Sequence, residues 1–430
     1  MNAQRTKQAV VCVSTLIFLT LGFYGNTWKA VANSWFNHFA DGTEVAIIGR
    51  LAKSRQNGIF STGGLVGREI KLPEGKQLFN YQYEIYYNNI PIQHYRPYKS
   101  NPAMQGIIFS ILDRCLSLTA QTNVKLFRLL TAILSASILS VFLLWVLDVF
   151  GLFSALATLL MIMLSPWLTV SGGHLFWMFG IIYVPFLVPL VLLHREYKGG
   201  KLSLPVWIVT SALAMLVKCL FTGYEFISTT MVMMTIPLFF YALWQKWKPR
   251  LFIQRFLSAS FARILGILAC AVILSLQIAQ VDGSIQKGLE HIQQRFLYRT
   301  YPKEEYIKKE VAQRVKDTQN VSVTTVLKTY LGGKAFSIST RYKDFNLSFG
   351  SLLLIFAAVS AIVFITAKNS ALVALTITSW VSNLAPLSWF IIFKSHSVLH
   401  THLNYLAWYM PTFLLMFVSV SSLKNSLRKT

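Results

Sequence analysis

A short acidic stretch after the first apolar segment carries the residues best suited to acid–base chemistry. Asp41 and Glu44 lie three positions apart within the run from His38 to Glu44. A carboxylate close to a low-dielectric surface has a raised pKa and can take a proton from an attacking hydroxyl. The same spacing is also common in helix capping, with the first acid as cap and the second at the third helical position. The two interpretations are compatible, and we expect a helix over residues 45–55.

A turn near the end of the chain concentrates polar side chains. It contains one lysine and three histidines: Lys394, His396, His400 and His402. Donors of this kind can stabilise the negative charge that develops on a departing phosphate. Zinc binding is an alternative, although no cysteine accompanies the histidines, and packing at the membrane interface is a third interpretation.

Two further sets of ionisable residues are candidates for substrate binding. Lys218 and Glu225 flank the connection between two apolar segments. Ionisable groups at membrane depth are costly and are treated as functional by default, although a buried ion pair that fixes the helix hairpin is equally consistent with the pattern. Four basic residues between the later apolar segments are suited to a diphosphate, or singly to a solvated surface: Arg295, Arg299, Lys334 and Arg341.

The elements that must position these residues are membrane-spanning helices. Hydrophobic residues make up 54% of the 430 positions and charged residues 13%, whereas soluble domains carry about 25% charged residues. The composition therefore indicates an integral membrane protein. The net charge is +24, and because no nucleic-acid-binding motif accompanies it, the charge favours an anionic membrane surface or a phosphate-bearing substrate and excludes nucleic acid as the expected partner. The four cysteines form no CxxC motif, so we expect neither a disulfide framework nor structural zinc.

The hydropathy pattern predicts an all-α polytopic membrane protein, one transmembrane domain over residues 1–430, with about ten spans of about 20 residues each. The expected spans are 8–25, 126–146, 150–169, 174–193, 203–222, 226–244, 257–279, 347–367, 371–393 and 403–422. We expect the first span to be an uncleaved anchor rather than a signal peptide. Alternation places the basic turns, including 194–198 and 246–255, on the cytoplasmic side, as the positive-inside rule requires. The long loops 26–125 and 280–346 are then external.

The loops carry their own predicted elements. Residues 81–87 alternate loosely and suggest either a strand or an aromatic belt at the interface. Residues 107–118 are amphipathic and suit a segment that re-enters or lies on the membrane. Helices are expected over 285–299 and 303–317. Three residues near the third external turn suit an interfacial belt: Trp167, His174 and Trp177.

Together, the acidic motif of the first external loop, the Gly223–Glu225 run, the polar turn from Lys394 to Tyr405 and the number of spans resemble the GT-C class of integral membrane glycosyltransferases. Uncharacterised bacterial envelope glycosyltransferases are the most similar group. The resemblance implies a polyprenyl-phosphate-linked sugar donor, an inverting displacement, and an acidic base in the first external loop, for which Asp41 is the best match. The chain departs from the metal-dependent members of that class because it has no DxD motif, so we expect no metal requirement and no other cofactor.

The expected function is therefore transfer of a hexosyl or pentosyl unit at the periplasmic face of a bacterial inner membrane. The partners would be membrane lipids, the lipid-linked donor, and a glycan, lipid or protein acceptor. Asp41 would deprotonate the acceptor, with Glu44 positioning it or sharing the role, and the polar turn would stabilise the phosphate, with Arg299. The alternatives are a flippase or transporter for lipid-linked oligosaccharides, an O-antigen-type polymerase, and a non-catalytic envelope protein. A transporter favours charged groups deep in several spans and inverted repeats.

Overall fold

A computed structural model describes residues 3–39, 41–300, 321–339 and 344–427. These residues are mostly helical, with two small antiparallel sheets of two strands each. The fold confirms the expected all-α polytopic architecture. The predicted helix over 303–317 and Arg341 lie outside the described residues.

The helices of the first half, in chain order, are α1 Ala3–Gly25, α2 Asn33–His38, α3 Asp41–Asn57, α4 Leu78–Tyr87, α5 Met104–Cys115, α6 Ala120–Phe150, α7 Leu152–Met163, α8 Pro166–Gly172, α9 Phe179–Ile182, α10 Val184–Tyr197 and α11 Leu204–Thr222. Those of the second half are α12 Ile227–Met233, α13 Ile236–Trp244, α14 Pro249–Asp282, α15 Ile285–Thr300, α16 Val323–Gly332, α17 Phe349–Thr366, α18 Ser370–Val381, α19 Leu384–Ile392, α20 Lys394–Leu399, α21 Thr401–Asn404 and α22 Thr412–Leu427. Strand β1 (Gly67–Glu69) pairs with β2 (Tyr95–Pro97), and β3 (Lys334–Ser339) pairs with β4 (Asp344–Ser348).

The described helices include fewer complete spans than the ten expected. Seven are long and apolar enough to cross a membrane, or nine if two bent pairs each count as one span. The expected span 174–193 instead forms the four-residue α9 and the 14-residue α10, which contains Pro189. The expected span 150–169 bends by 75° between α7 and α8. Ser165 lies at this break and precedes Pro166, and a residue before proline is disfavoured in a helix.

The first long loop folds into a compact cap of helices on the bundle. Residues 81–87 belong to α4, so the strand considered for them is wrong. A period of three to four fits this run better than alternation, because Tyr83 and Tyr86 are buried on one side of α4. The amphipathic segment 107–118 is largely α5, as the helical pattern predicted.

Buried carboxylates connect the helices of this cap. Asp113 in α5 accepts two hydrogen bonds from Arg55 in α3, at 2.7 and 2.9 Å. It also accepts hydrogen bonds from the Tyr86 hydroxyl in α4 and from Asn123 in α6. Buried polar groups need such partners because an unsatisfied one costs about 1–3 kcal/mol. One side chain therefore ties α3, α4 and α5 to the second span.

Ion pairs gather the basic connections at one end of the bundle. Asp148, near the end of α6, lies 2.6 Å from His194 at the end of α10 and accepts a hydrogen bond from Gln4 in α1. Glu196 pairs with Arg255 of α14 at 2.5 Å. These connections share one end, as the predicted alternation of spans requires. Arg128, which contacts the acidic motif, is 20 residues before Asp148 in α6, or about 30 Å along the helix. The candidate site therefore lies at the opposite end.

Glu69 provides a stability prediction for the cap. Its two carboxylate oxygens accept four backbone N–H groups, from Ile70, Lys71, Gln93 and His94, at 2.8–3.0 Å. Burial raises the pKa of Glu69, but these hydrogen bonds lower it more, so its pKa lies below the ordinary value. We expect Glu69→Gln to destabilise the fold at neutral pH by about 1.5–3 kcal/mol, because an amide presents donors to N–H groups.

The sign of the pH dependence follows from the lowered pKa. The stabilisation from Glu69 is complete above the unfolded carboxyl's pKa and is lost as the pH falls through the folded value. The unfolding temperatures of the wild type and Glu69→Gln in detergent should therefore differ at neutral pH and converge at acidic pH. Glu74→Gln, at an exposed position of the same loop, is the control. An equal effect of the two substitutions at neutral pH would contradict the assignment.

Candidate active site

Asp41 begins α3, directly after the short helix α2, and its two oxygens have different surroundings. Oδ2 lies 2.8 Å from Nδ1 of His38, while Oδ1 is buried and has no hydrogen-bond partner within the described ranges. The side chain as a whole is 28% exposed. None of the hydrogen bonds found among the described residues joins this carboxylate to a backbone N–H of α3, so the expected capping arrangement is not formed there.

Glu44, one turn further along α3, is completely buried. Its carboxylate accepts hydrogen bonds from Arg128 at 2.6 and 3.2 Å and from the Tyr83 hydroxyl at 3.1 Å. Burial raises the pKa of Glu44, but Arg128 lowers it more, and the pKa lies below its ordinary value. A carboxylate held ionised in this way is a weak proton acceptor. The catalytic role of the pair stays a prediction, and the arrangement suits Glu44 to positioning α3 on α6.

A cleft of about 290 Å³ opens beside the start of α3. It is lined by residues of α2, of the α2–α3 junction, of the first turn of α3 and of the last turn: Trp35, His38, Phe39, Gly42, Thr43, His402 and Leu403. The volume is at the small end of the range for ligand pockets. Two regions of the sequence that were predicted separately as a site, the acidic motif and the histidine-rich turn, thus meet at one cavity.

Aromatic side chains and one buried histidine pack behind the cleft. Trp35 packs edge-to-face on Trp167 at 5.0 Å, and Trp167 lies 4.9 Å from Tyr405. His174 is buried, with Nε2 3.1 Å from the Thr43 hydroxyl, and its Nδ1 accepts a hydrogen bond from the backbone N–H of Phe176. The belt interpretation of Trp167, His174 and Trp177 is wrong, since all three are buried in the protein.

The last turn is built from the short helices α20 and α21, which follow the break at Phe393. Its histidine rings form a row: the His396 and His400 centroids are 4.7 Å apart, and those of His400 and His402 are 6.1 Å apart. Only His402 reaches the cleft. Burial, together with the neighbouring His396, lowers the pKa of His400 to about 4. His400 is therefore a neutral hydrogen-bonding group at neutral pH rather than a cation.

Glu225 anchors the inner end of this row. Its carboxylate lies 2.6 Å from Arg299 of α15 and 3.2 Å from Nε2 of His396. Both partners of the ion pair are nearly enclosed, with side chains 12% and 11% exposed. Burial raises the pKa of Glu225, but Arg299 and His396 outweigh it and hold the pKa well below the ordinary range. Arg299 is thus neutralised within the protein, which does not favour the direct phosphate contact predicted for it.

Lys218 is also fully buried, but its partner differs from the expected one. Its ammonium group donates to the backbone carbonyls of Gly223, at 3.0 Å, and of Glu225. It therefore fixes the turn between α11 and α12 through the backbone rather than through an ion pair with the Glu225 carboxylate. This position gives Lys218 a structural role, and its predicted substrate contact stays untested.

The remaining predicted residues are dispersed. Lys394 begins α20 and is half-buried, and Lys334 lies at the start of β3, where its carbonyl accepts a hydrogen bond from Trp167. The described residues contain no group of three or more histidine, cysteine, aspartate or glutamate side chains arranged to hold a metal ion. The histidine turn therefore lacks the geometry that its zinc interpretation needs.

Four residues of the site were missed as site residues from sequence: Trp35, His38, Thr43 and Arg128. Arg128 had a usable signal, because it is a charged residue inside a predicted span and such residues are functional by default. His38 precedes Asp41 by three positions, a spacing at which side chains can meet. Trp35 and Thr43 had no signal beyond their proximity to the motif.

Comparison of the chain with protein-family models, with curated proteins and with solved structures found no match.

Proposed function

We propose that the chain is a membrane glycosyltransferase of the GT-C type. It transfers a sugar from a polyprenyl-phosphate donor to an envelope acceptor at the external face of the membrane. The observation that carries the proposal is the cleft, which is lined by His38 of the first loop, hydrogen-bonded to Asp41, and by His402 of the last turn. An acceptor hydroxyl loses its proton on the His38–Asp41 side, and the departing phosphate receives hydrogen bonds from the His402 side.

The surroundings of the cleft suit this division of roles. Glu44 and Arg128 hold the start of α3 against α6 through a bidentate ion pair. Glu225 and Arg299 similarly fix His396, the first histidine of the row. The first pair holds the helix that begins with Asp41, and the second holds the start of the turn that contains His402, which is the contribution that positioning makes to catalysis. Aromatic side chains such as Trp35 provide apolar surface for a sugar ring.

Replacement of His402 tests the proposed function at the cleft. We expect His402→Ala to lower turnover by about tenfold to a thousandfold, as loss of one transition-state donor does. The assay supplies membranes that contain the protein with undecaprenyl phosphate linked to radiolabelled glucose, galactose or mannose, and measures label in non-lipid product. His94→Ala, an exposed histidine in the first loop, is the control. Absence of transfer by the wild type, beyond membranes without the protein, would contradict the proposed function itself.

The proposed function also requires the cleft to face the exterior of the cell. Reporter fusions at Gly75 in the first loop and at Lys287 in α15, both exposed, should report the non-cytoplasmic side. A fusion at Lys201, exposed beside the basic turn 194–198, should report the cytoplasm, because basic connections stay inside. The reverse pattern would place the cleft on the side where the resemblance expects no donor.

The transporter alternative requires charged groups inside the spans, and two cations are buried in the spans that the structure describes. Lys218 and Arg263 are buried in α11 and α14. Each binds backbone carbonyls: Lys218 those of Gly223 and Glu225, and Arg263 those of Ala259 and Met231. Since backbone carbonyls around them satisfy these groups, they support helix packing rather than an ion or substrate path.

A further inference from the structure

His38 occupies the position from which a side chain can act in the cleft. It is the last residue of α2, its side chain is 73% exposed, and it lines the cavity. Its Nδ1 lies 2.8 Å from Oδ2 of Asp41, so the pair bridges the junction of α2 and α3. Asp41 itself is not among the residues that line the cleft.

The geometry decides which atom is free to react. A carboxylate next to Nδ1 favours the tautomer in which Nδ1 carries the proton, which leaves a lone pair on Nε2. Asp41 Oδ2 is then occupied by this hydrogen bond, and its Oδ1 is buried. The imidazole is therefore the more accessible proton acceptor, and the carboxylate is suited to orient it and to stabilise the imidazolium, as in a nucleophile–base–carboxylate arrangement.

We propose that His38 is the catalytic base and that Asp41 is its positioning residue. The inference rests on the proposed glycosyl transfer. The acceptor O–H bond breaks and its proton goes to Nε2 of His38. The acceptor oxygen forms the new bond to the anomeric carbon, and the bond from that carbon to the phosphate oxygen breaks, with its electron pair leaving on the phosphate. The imidazolium carries one positive charge beside the Asp41 carboxylate until the proton passes to solvent.

Other ionisable groups around His38 do not compete for the same role. His402 lies across the cleft, and His174 is buried behind it and hydrogen-bonded to Thr43. Glu44 is buried and already paired with Arg128. Asp41 is thus the carboxylate that contacts His38 directly among the residues that the structure describes.

Two substitutions of His38 separate a base from a structural contact. His38→Asn keeps a hydrogen-bond donor near the Nδ1 position for Asp41 but has no basic Nε2. His38→Gln places its amide nearer the Nε2 position and gives up the short contact to Asp41. If His38 is the base, both variants lose turnover by about a hundredfold to ten-thousandfold, while KM for the acceptor changes little. If His38 only holds Asp41, His38→Asn stays active and His38→Gln does not.

The experiment uses the labelled undecaprenyl-phosphate sugars and membranes of the full chain, with kcat/KM measured against pH. The acidic limb of that profile reports the base, and an imidazole base places the limb at a higher pH than a carboxylate base does. The proposal is supported if the acidic limb of the wild-type profile lies at the higher pH and His38→Asn is inactive. Near-wild-type turnover of His38→Asn with inactive Asp41→Asn overturns it and leaves the glycosyltransferase function standing, with Asp41 as the base. Absence of transfer by the wild type is instead a failure of the proposed function.

Discussion

Asp41→Asn is expected to lower glycosyl transfer by about a hundredfold to ten-thousandfold while leaving the protein folded and inserted. Asparagine has the size of aspartate, and none of the hydrogen bonds among the described residues joins the Asp41 carboxylate to the backbone of α3, so the substitution preserves the start of α3. It removes the charge and the basicity, and its amide can present an N–H group to His38 Nδ1. The imidazole is then stabilised in the tautomer that cannot take a proton at Nε2.

The measurement is labelled product per unit of inserted protein, compared across three variants. Glu44→Gln is compared with it because Glu44 is buried and bound to Arg128, so we expect this substitution to lower the thermal stability. Asp282→Asn, at the partly exposed Lys99 pair outside the cleft, is the control for loss of an aspartate charge. Transfer by Asp41→Asn near the wild-type level, with loss in a stably inserted Glu44→Gln, would move the base to Glu44. Retention by both would remove the acidic motif from the chemistry.

The features that follow from local sequence were predictable. Composition indicated the membrane class, and the helical period placed α5 and α15 within a few residues of their bounds. The break before Pro166 has a local signal as well, but the hydropathy pattern alone predicted one continuous span over 150–169. The acidic motif and the histidine turn were both recognised as candidates from residue type alone.

The partners of the charged residues were not predictable, because they are set by tertiary contacts. Glu44 meets Arg128 across 84 positions, and Glu225 meets Arg299 across 74. As long as those partners are unknown, the sequence pattern of a buried, paired carboxylate is the same as that of a reactive one. The pairing decides whether the pKa of a carboxylate rises or falls, and this distinguishes Glu44 from the proton acceptor first expected there.

The aromatic run 81–87 shows that local propensity alone can indicate the wrong secondary structure. Tyrosine favours strands intrinsically, and the run has partial alternation, so local preference pointed to an extended structure. In the fold, the hydroxyls of Tyr83 and Tyr86 reach Glu44 and Asp113 from one face of α4. Two buried hydrogen bonds to carboxylates outweigh a propensity difference that spans about 1 kcal/mol.

The second large effect is expected at the buried pair of Glu225 and Arg299. Glu225→Gln should lower the free energy of unfolding by about 3–5 kcal/mol, because Arg299 then keeps a charge in an enclosed site without its counter-ion. The side chains are 12% and 11% exposed, and the contact is 2.6 Å, so solvent cannot replace the carboxylate easily. His396 loses its partner at the same time, and turnover should fall with it.

A double-mutant cycle separates the pair from its two members. Arg299→Gln and Glu225→Gln should each destabilise, and the double variant should be less destabilised than the sum, since it leaves neither charge unpaired. The lowered pKa of Glu225 adds a second signature: the stabilisation is complete above the unfolded carboxyl's pKa and disappears as the pH falls through the folded value. Thermal unfolding in detergent at neutral and acidic pH measures both. Glu290→Gln, at an exposed position of α15, is the control. Strict additivity of the single variants would show that the pair contributes no coupling, and would leave Glu225 and Arg299 available to bind a ligand instead.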